Sequence, residues 1–254
     1  MAIIFFDIDG TLAVGTHVPL SAADAIARTR AAGNLVFICT GRPRWYAQKT
    51  FGEYADGFVC CNGRLAVQGE ECLIERPVDS GVVREIVTIL DAHDAGYAFL
   101  GERQAFYGGN REYRSVAEWA HGETIDMAEA LEQDVPLFCF DIFFGTSAER
   151  EVITQALEGI CLVNPHGPHP SADVTVLGYG KGDAVRDTIA ALGIAWEDSY
   201  AFGDGVNDIS MLEAVCHGVA MGNAVPETKA VAEYVTSDIN EDGVARALVH
   251  YGLA

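Results

Sequence analysis

Residues 2–6 form a continuous apolar run rich in β-formers that stops at Asp7-Ile8-Asp9-Gly10, the pattern of a strand buried on both faces. Next, Ser21-Ala22-Ala23-Asp24 opens an Ala-rich helix in the manner of a capping box, with Asp in place of Glu or Gln, and Gly33 stops it. A second buried strand over 35–39 ends at Thr40-Gly41-Arg42. A strand, crossover helix and strand of this length make a right-handed parallel unit, with both carboxyl ends at one sheet edge. The last third repeats the rhythm: a helix from Lys181 to about Leu192 stopped by Gly193, then strands over 200–202, 218–221 and 233–235 between helical patterns. This predicts an α/β fold with a doubly wound, mainly parallel sheet.

The middle breaks the rhythm. Val82, Val83, Ile86, Val87, Ile89 and Leu90 form a helical apolar stripe; strand patterns over 97–100, 105–107, 137–144 and 174–177 and a helix near 148–157 follow. Closely spaced strands with paired helices predict an α+β insert. The expected division is a core of 1–79 and 178–254 with an inserted domain over 80–177, Pro77 and Gly178 marking the crossings.

Charge narrows the partners. Lys+Arg 16 against Asp+Glu 37 leaves −21, a field that repels the phosphate backbone of nucleic acid. An anionic substrate therefore needs a local set of cations, backbone amides or a metal ion. No run approaches the roughly 20 apolar residues of a membrane helix, and the first six residues meet Asp7 at once, so neither a signal peptide nor an anchor is expected. The seven cysteines have no C-x-x-C spacing and read as reduced core residues of a cytoplasmic protein.

The chemistry concentrates at predicted strand ends. Residues two apart at a strand end start on one face, so Asp7 and Asp9 repel unless a hard cation such as Mg²⁺ or a shared proton intervenes. Gly203-Asp204-Gly205-Val206-Asn207-Asp208 adds carboxylates at the same edge, and four converging carboxylates call for a metal. Lys181 opens a helix whose free amides favour anions, and Thr40-Gly41 offers a hydroxyl beside exposed backbone. A phosphate fits such a site.

Asp7-Ile8-Asp9-Gly10-Thr11-Leu12, Thr40-Gly41-Arg42-Pro43, Lys181-Gly182-Asp183 and Gly203-Asp204-Gly205-Val206-Asn207-Asp208, in this order, resemble the four motifs of the haloacid dehalogenase superfamily. The insert between the second and third motifs, with Cys61-Asn62-Gly63 before it, resembles the Cof-type sugar-phosphatase branch with a subclass IIB cap. The resemblance implies a Mg²⁺-dependent phosphatase of small phosphate monoesters. Asp7 is then the nucleophile that forms an aspartyl-phosphate, and Asp9 the acid and base. Mg²⁺ is held by Asp7, the Asp9 carbonyl and Asp204, with Asp208 supporting them. Thr40, Gly41, Arg42, Asn62, Lys181 and Asn207 form the implied phosphate- and substrate-binding set. One departure is Gly178-Tyr179-Gly180, where the family more often has Gly-Val and a small polar residue.

Two other readings share these residues. A phosphomutase returns the phosphoryl group to a bound sugar; a phospho-accepting signalling receiver has the acidic pocket with Thr and Lys, but about half this length and no insert. His166-Gly167-Pro168-His169 invites a metal reading but lacks acidic company in sequence, and Phe138, Phe140, Phe143 and Phe144 read as strand core.

Overall fold

The computed structural model describes residues 1–167 and 169–254. The chain begins β1 (Ile3–Phe6), α1 (Leu20–Ala31), β2 (Leu35–Cys39), α2 (Arg44–Phe51), β3 (Gly57–Cys60), β4 (Leu65–Gln68) and β5 (Glu71–Glu75). It continues through α3 (Ser80–Ala92), β6 (Gly96–Leu100), β7 (Ala105–Gly109), α4 (Arg114–His121), β8 (Thr124–Asp126), α5 (Met127–Gln133), β9 (Cys139–Phe143), α6 (Ser147–Ala156), β10 (Cys161–Pro165) and β11 (Ser171–Val176). Last come α7 (Lys181–Ala191), β12 (Ser199–Gly203), α8 (Ile209–Leu212), β13 (His217–Ala220), α9 (Pro226–Val231), β14 (Tyr234–Val235) and α10 (Gly243–His250). Two units result: Met1–Glu75 with Tyr179–Ala254, and Arg76–Gly178.

The first unit is built on an eight-stranded sheet in the order β14-β13-β12-β1-β2-β3-β4-β5. Its strands from β14 to β3 are parallel, and β4 and β5 add an antiparallel edge. This is the predicted doubly wound α/β architecture. Every residue of β1 is buried, which is why Ile3-Ile4-Phe5-Phe6 needs no polar alternation. β1 lies between β2 and β12, pairing Phe6 with both Ile38 and Phe202, so the loops after these three strands leave one edge together.

Two local expectations fail. α1 starts at Leu20 behind Pro19 and no side chain caps it, so the Ser21 capping reading is wrong; the proline's fixed φ sets the first turn instead. Residues 57–75 carry three strands that the pattern reading passes over, because β4 and β5 are a short edge hairpin turning at Gly69, whose φ is +58°. Of the cysteines, Cys72 is exposed and Cys216 half-buried, while the other five are in the interior; all seven are free thiols.

The second unit is a six-stranded sheet in the order β10-β11-β9-β6-β7-β8, antiparallel except for β7 with β8. Phe99, Phe106, Phe140, Ile142 and Val174 meet Val83, Ile86 and Leu90 of α3 and Ile153 of α6 in its main core. Phe138, Phe143 and Phe144 are also buried, as strand core requires. Across the sheet, Asp141 of β9 faces Asp173 of β11 in register. Asp141 binds His121 Nε2 at 2.7 Å, and Asp173 binds His166 Nε2 at 2.9 Å. The acidic company His166 lacks in sequence is thus supplied by the neighbouring strand, although these four do not gather as a metal cluster among the described residues. Pro168 of that motif lies outside the described residues.

α7 is the element that delivers Lys181, and its first turn is set by two contacts. The Gly180 amide donates to the Asp183 carboxylate at 3.1 Å, and a Cβ at Gly182 would stand 2.3 Å from the Ser210 carbonyl of α8. Gly182 therefore permits the close approach that seats Lys181. We expect Gly182→Ala to cost about 1–3 kcal/mol in urea denaturation as an overpacked contact. Gly52→Ala, at a helical backbone position with nothing within 4 Å of the added carbon, should be neutral or stabilising. Equal stabilities for the two variants would refute this account of the α7–α8 contact.

Candidate active site

β1, β12 and α7 converge on one buried cation. Lys181 Nζ donates to Asp7 Oδ1 at 2.6 Å and to Asp208 Oδ1 at 2.7 Å, with the lysine only 3% exposed. The other Asp208 oxygen accepts from the amides of Asp204 (3.1 Å) and Gly205 (3.0 Å), so both of its oxygens are engaged in holding the site together. Gly203 makes room for this: a Cβ there would lie 2.5 Å from Asp208 Cβ.

Asp204 is aimed from the other side. Thr11 Oγ1 donates to Asp204 Oδ1 at 2.9 Å, and a Cβ on Gly10, whose φ is +84°, would stand 2.4 Å from Asp204 Oδ2. Glycine at this position serves both the left-handed turn and the approach of a carboxylate. Ligand oxygens of Asp7, Asp204 and Asp208 all lie within 4.8 Å of one another.

This crowding governs protonation. Burial, with repulsion from Asp208, pushes Asp7 up to about 8 against the opposing pull of Lys181. Burial likewise raises Asp204 to about 6, opposed by the Thr11 hydrogen bond and reinforced by Asp208. Lys181 stays cationic: desolvation disfavours its charge, but Asp208 and Asp7 outweigh that and raise it well above its ordinary value. The neighbouring Cys39 thiol is pushed up to about 12, chiefly by burial, and is inert. Three carboxylates against one ammonium leave excess negative charge, and an all-oxygen donor set of this compactness fits a hard divalent cation such as Mg²⁺.

Asp9 departs from the four-carboxylate expectation. Its carboxylate is outside the trio; it is more than half exposed and pairs with Arg42 Nη2 at 3.2 Å. The reason is that the chain leaves strand geometry at once: the amides of Leu12 and Ala13 both fold back on the Ile8 carbonyl, so the two-residue alternation that puts Asp7 and Asp9 on one face no longer applies. Arg42 also lies over the Tyr46 ring at 5.1 Å, which fixes the guanidinium beside the first loop.

The remaining predicted residues form a second group. The buried Thr40 accepts from the Arg42 amide at 3.1 Å through Oγ1, and its carbonyl accepts from the Asn62 amide at 3.1 Å. Cys61 and Asn62 both have φ of 53°, a sharp left-handed corner that brings the Asn62 side chain against Gly41. A Cβ at Gly63 would meet the Gly180 carbonyl at 2.6 Å, so this corner packs directly on the start of α7. Asn207 lies exposed in the 3-10 turn after β12. Tyr179 packs against the first unit's core and donates to Asp187 at 2.8 Å. The sequence reading assigns no role to Thr11, Asn223 or Thr228, all of which bond to these loops. Thr11 is signalled by its place directly after Gly10; the other two lie outside every motif.

Comparison with known proteins agrees with this geometry. Residues 4–248 match the family model for haloacid dehalogenase-like hydrolases. The protein YkrA of Bacillus subtilis is 31% identical over 262 residues, covering 99% of this chain and 98% of the relative. Pyridoxal phosphate phosphatase YbhA of Escherichia coli is 27% identical, covering 96% of each. Among solved structures, the HAD subclass IIB sugar phosphatase BT4131 superposes with a TM-score of 0.81 at 29% identity, over the full length of both chains. With the doubly wound sheet, the insert and the Asp7–Lys181–Asp208 centre in place, the chain belongs to the haloacid dehalogenase-like hydrolases, in their Cof-type branch of phosphatases.

Proposed function

We propose that the enzyme hydrolyses small phosphate monoesters, sugar phosphates foremost, through an aspartyl-phosphate on Asp7. The observation that carries this reading is Lys181, a buried ammonium that touches Asp7 and Asp208 at once in an otherwise acidic site. In the first step an Asp7 carboxylate oxygen attacks phosphorus, and the ester oxygen leaves with a proton from Asp9. In the second, Asp9 takes a proton from water, whose oxygen attacks phosphorus and releases Asp7. Lys181, Thr40, the Gly41 amide, Asn62 and Asn207 hold the phosphoryl oxygens. Asp7, the Asp9 carbonyl and Asp204 would hold Mg²⁺, which supplies charge neutralisation for carboxylate and phosphate together. Asp9 suits its role because it is exposed, where an alcohol can reach it, and Arg42 steadies it there. The receiver reading is set aside, since the family match runs over residues 4–248, insert included.

Asp7→Asn should lower kcat by at least about 10³-fold with the fold retained, because the shape survives and the nucleophile is lost. Steady-state phosphate release and circular dichroism check this, and a variant retaining a tenth of wild-type rate would rule out the covalent route. Chelation should end activity and Mg²⁺ restore it, with Asp204→Ala raising the metal requirement. Ca²⁺ should substitute poorly, since it takes more ligands at about 2.3–2.6 Å where Mg²⁺ takes six at about 2.0–2.1 Å. Full turnover in a metal-stripped sample would remove the ion from the mechanism.

The second unit carries none of the groups assigned to the chemistry, and we assign it the choice of leaving group. Alanine at Glu102, Arg103 or Asn164 should shift kcat/KM among sugar phosphates unequally while changing a small aryl phosphate less than about threefold. Equal losses on both substrate types in folded variants would give this unit a share in the chemical step.

A further inference from the structure

We infer that Asn223, the Val225 amide and Thr228 form a clamp that sets the distance between the two carboxylate loops, an assignment that rests on the roles given to Asp7 and Asp204 above. The three lie on one short stretch that runs from the end of β13 into α9. Asn223 Nδ2 donates to the Gly10 carbonyl at 2.7 Å, and its Oδ1 accepts from the Ile239 amide at 3.0 Å. The Val225 amide donates to the Asp204 carbonyl at 3.0 Å. Thr228 Oγ1 donates to the Gly205 carbonyl at 2.7 Å from a side chain with no exposure at all.

The stretch is itself braced. Lys229 Nζ reaches back to the Gly222 carbonyl at 2.6 Å, the Gly222 amide donates to Ser237 at 2.9 Å, and the Ala224 amide closes on Met221 at 2.9 Å. One rigid segment thus holds both loops from behind. The points it grips are the pliable ones, the glycines that follow Asp9 and Asp204 and have no side chain to limit their motion. Within its own loop the Gly205 carbonyl also accepts from the Asp208 amide at 3.1 Å.

The consequence is metric. Asp204 Oδ2 already lies 2.4 Å from where a Gly10 Cβ would be, so a shift of either loop alters the separation of the carboxylates at once. Ligand spacing of a few tenths of an ångström separates a Mg²⁺ site from a poor one, and misplacement by about 1 Å can cost on the order of 100-fold in rate. Asn223 and Thr228 are therefore positioning residues: they bond only to backbone and act through Asp204 and the Asp7 loop.

The test uses Asn223→Ala, Thr228→Val and Thr228→Ser in the full-length enzyme. Amide hydrogen exchange without metal reads the loops directly. Asn223→Ala should speed exchange at Gly10, Leu12 and Ala13, and Thr228→Val at Asp204, Gly205 and Asp208, each by about tenfold, with β1 and β2 amides unchanged. Mg²⁺ affinity by calorimetry should weaken about tenfold in both, with KM at saturating Mg²⁺ within about twofold of wild type, and Thr228→Ser should restore both readouts because it keeps the hydroxyl. Loop exchange unchanged in folded Asn223→Ala and Thr228→Val, or Thr228→Ser behaving like the valine variant, would overturn the clamp. If the valine variant fails to fold, Asn223→Ala decides, since its side chain is exposed and leaves the core intact. A wild-type enzyme whose turnover ignores Mg²⁺ would sink the functional reading alone, and the metal-free exchange comparison would still decide the clamp.

Discussion

The site is organised by the placement of a single ammonium group away from water. A buried lysine survives only if its charge is matched, and Lys181 is matched twice, by Asp7 and by Asp208. Removing one partner of such a pair typically costs about 3–5 kcal/mol, so the loop after β1, the start of α7 and the loop after β12 are bound into one electrostatic unit. The same arrangement overshoots: with Asp204 nearby, negative charge exceeds positive, and the carboxyls respond by holding protons more tightly. Stability and reactivity thus pull on the same groups. A divalent cation bound among these carboxylates would relieve the excess charge without disturbing the ion pairs that hold the loops.

Net charge gains a more local meaning in this light. A chain with 37 acidic and 16 basic side chains disfavours anions at long range. Lys181 is buried against Asp7 and Asp208, and Arg42 is engaged with Asp9 at the surface. The two cationic groups at the site are thus placed singly, each against a carboxylate, where a small anionic group would meet them one at a time.

What could be read from the sequence was what obeys a period or a spacing. Runs such as Ile3-Ile4-Phe5-Phe6 announce buried strands because both faces are covered, and the motif aspartates announce strand ends because the chain turns there. Asp7, Asp204 and Asp208 are legible for that reason, and Lys181 because it opens the helix that Gly193 stops. Asp9 was legible as chemistry but misread as geometry, since the alternation that predicts its direction ends with β1. The hairpin of β4 and β5 was missed because its strands are short and the outer one exposed, so no long apolar run marks it. Asn223 and Thr228 left no trace at all. Uncharged side chains that bond to distant carbonyls are set by tertiary proximity, and one sequence holds no record of it.

The interrupted first unit also determines when the enzyme can exist. β1 is flanked by β2, available early, and by β12, whose Ser199 pairs with Ile3. At about 5–20 residues per second, roughly 8–32 s of synthesis separate those two strands. Arg76–Gly178, by contrast, is continuous and can complete its own sheet first. The nascent chain must therefore keep a wholly apolar strand half-paired while the insert folds, a window in which chaperones are well placed to act. The ion pair at the centre of the site closes last, because it joins Asp7 to a lysine translated 174 residues later.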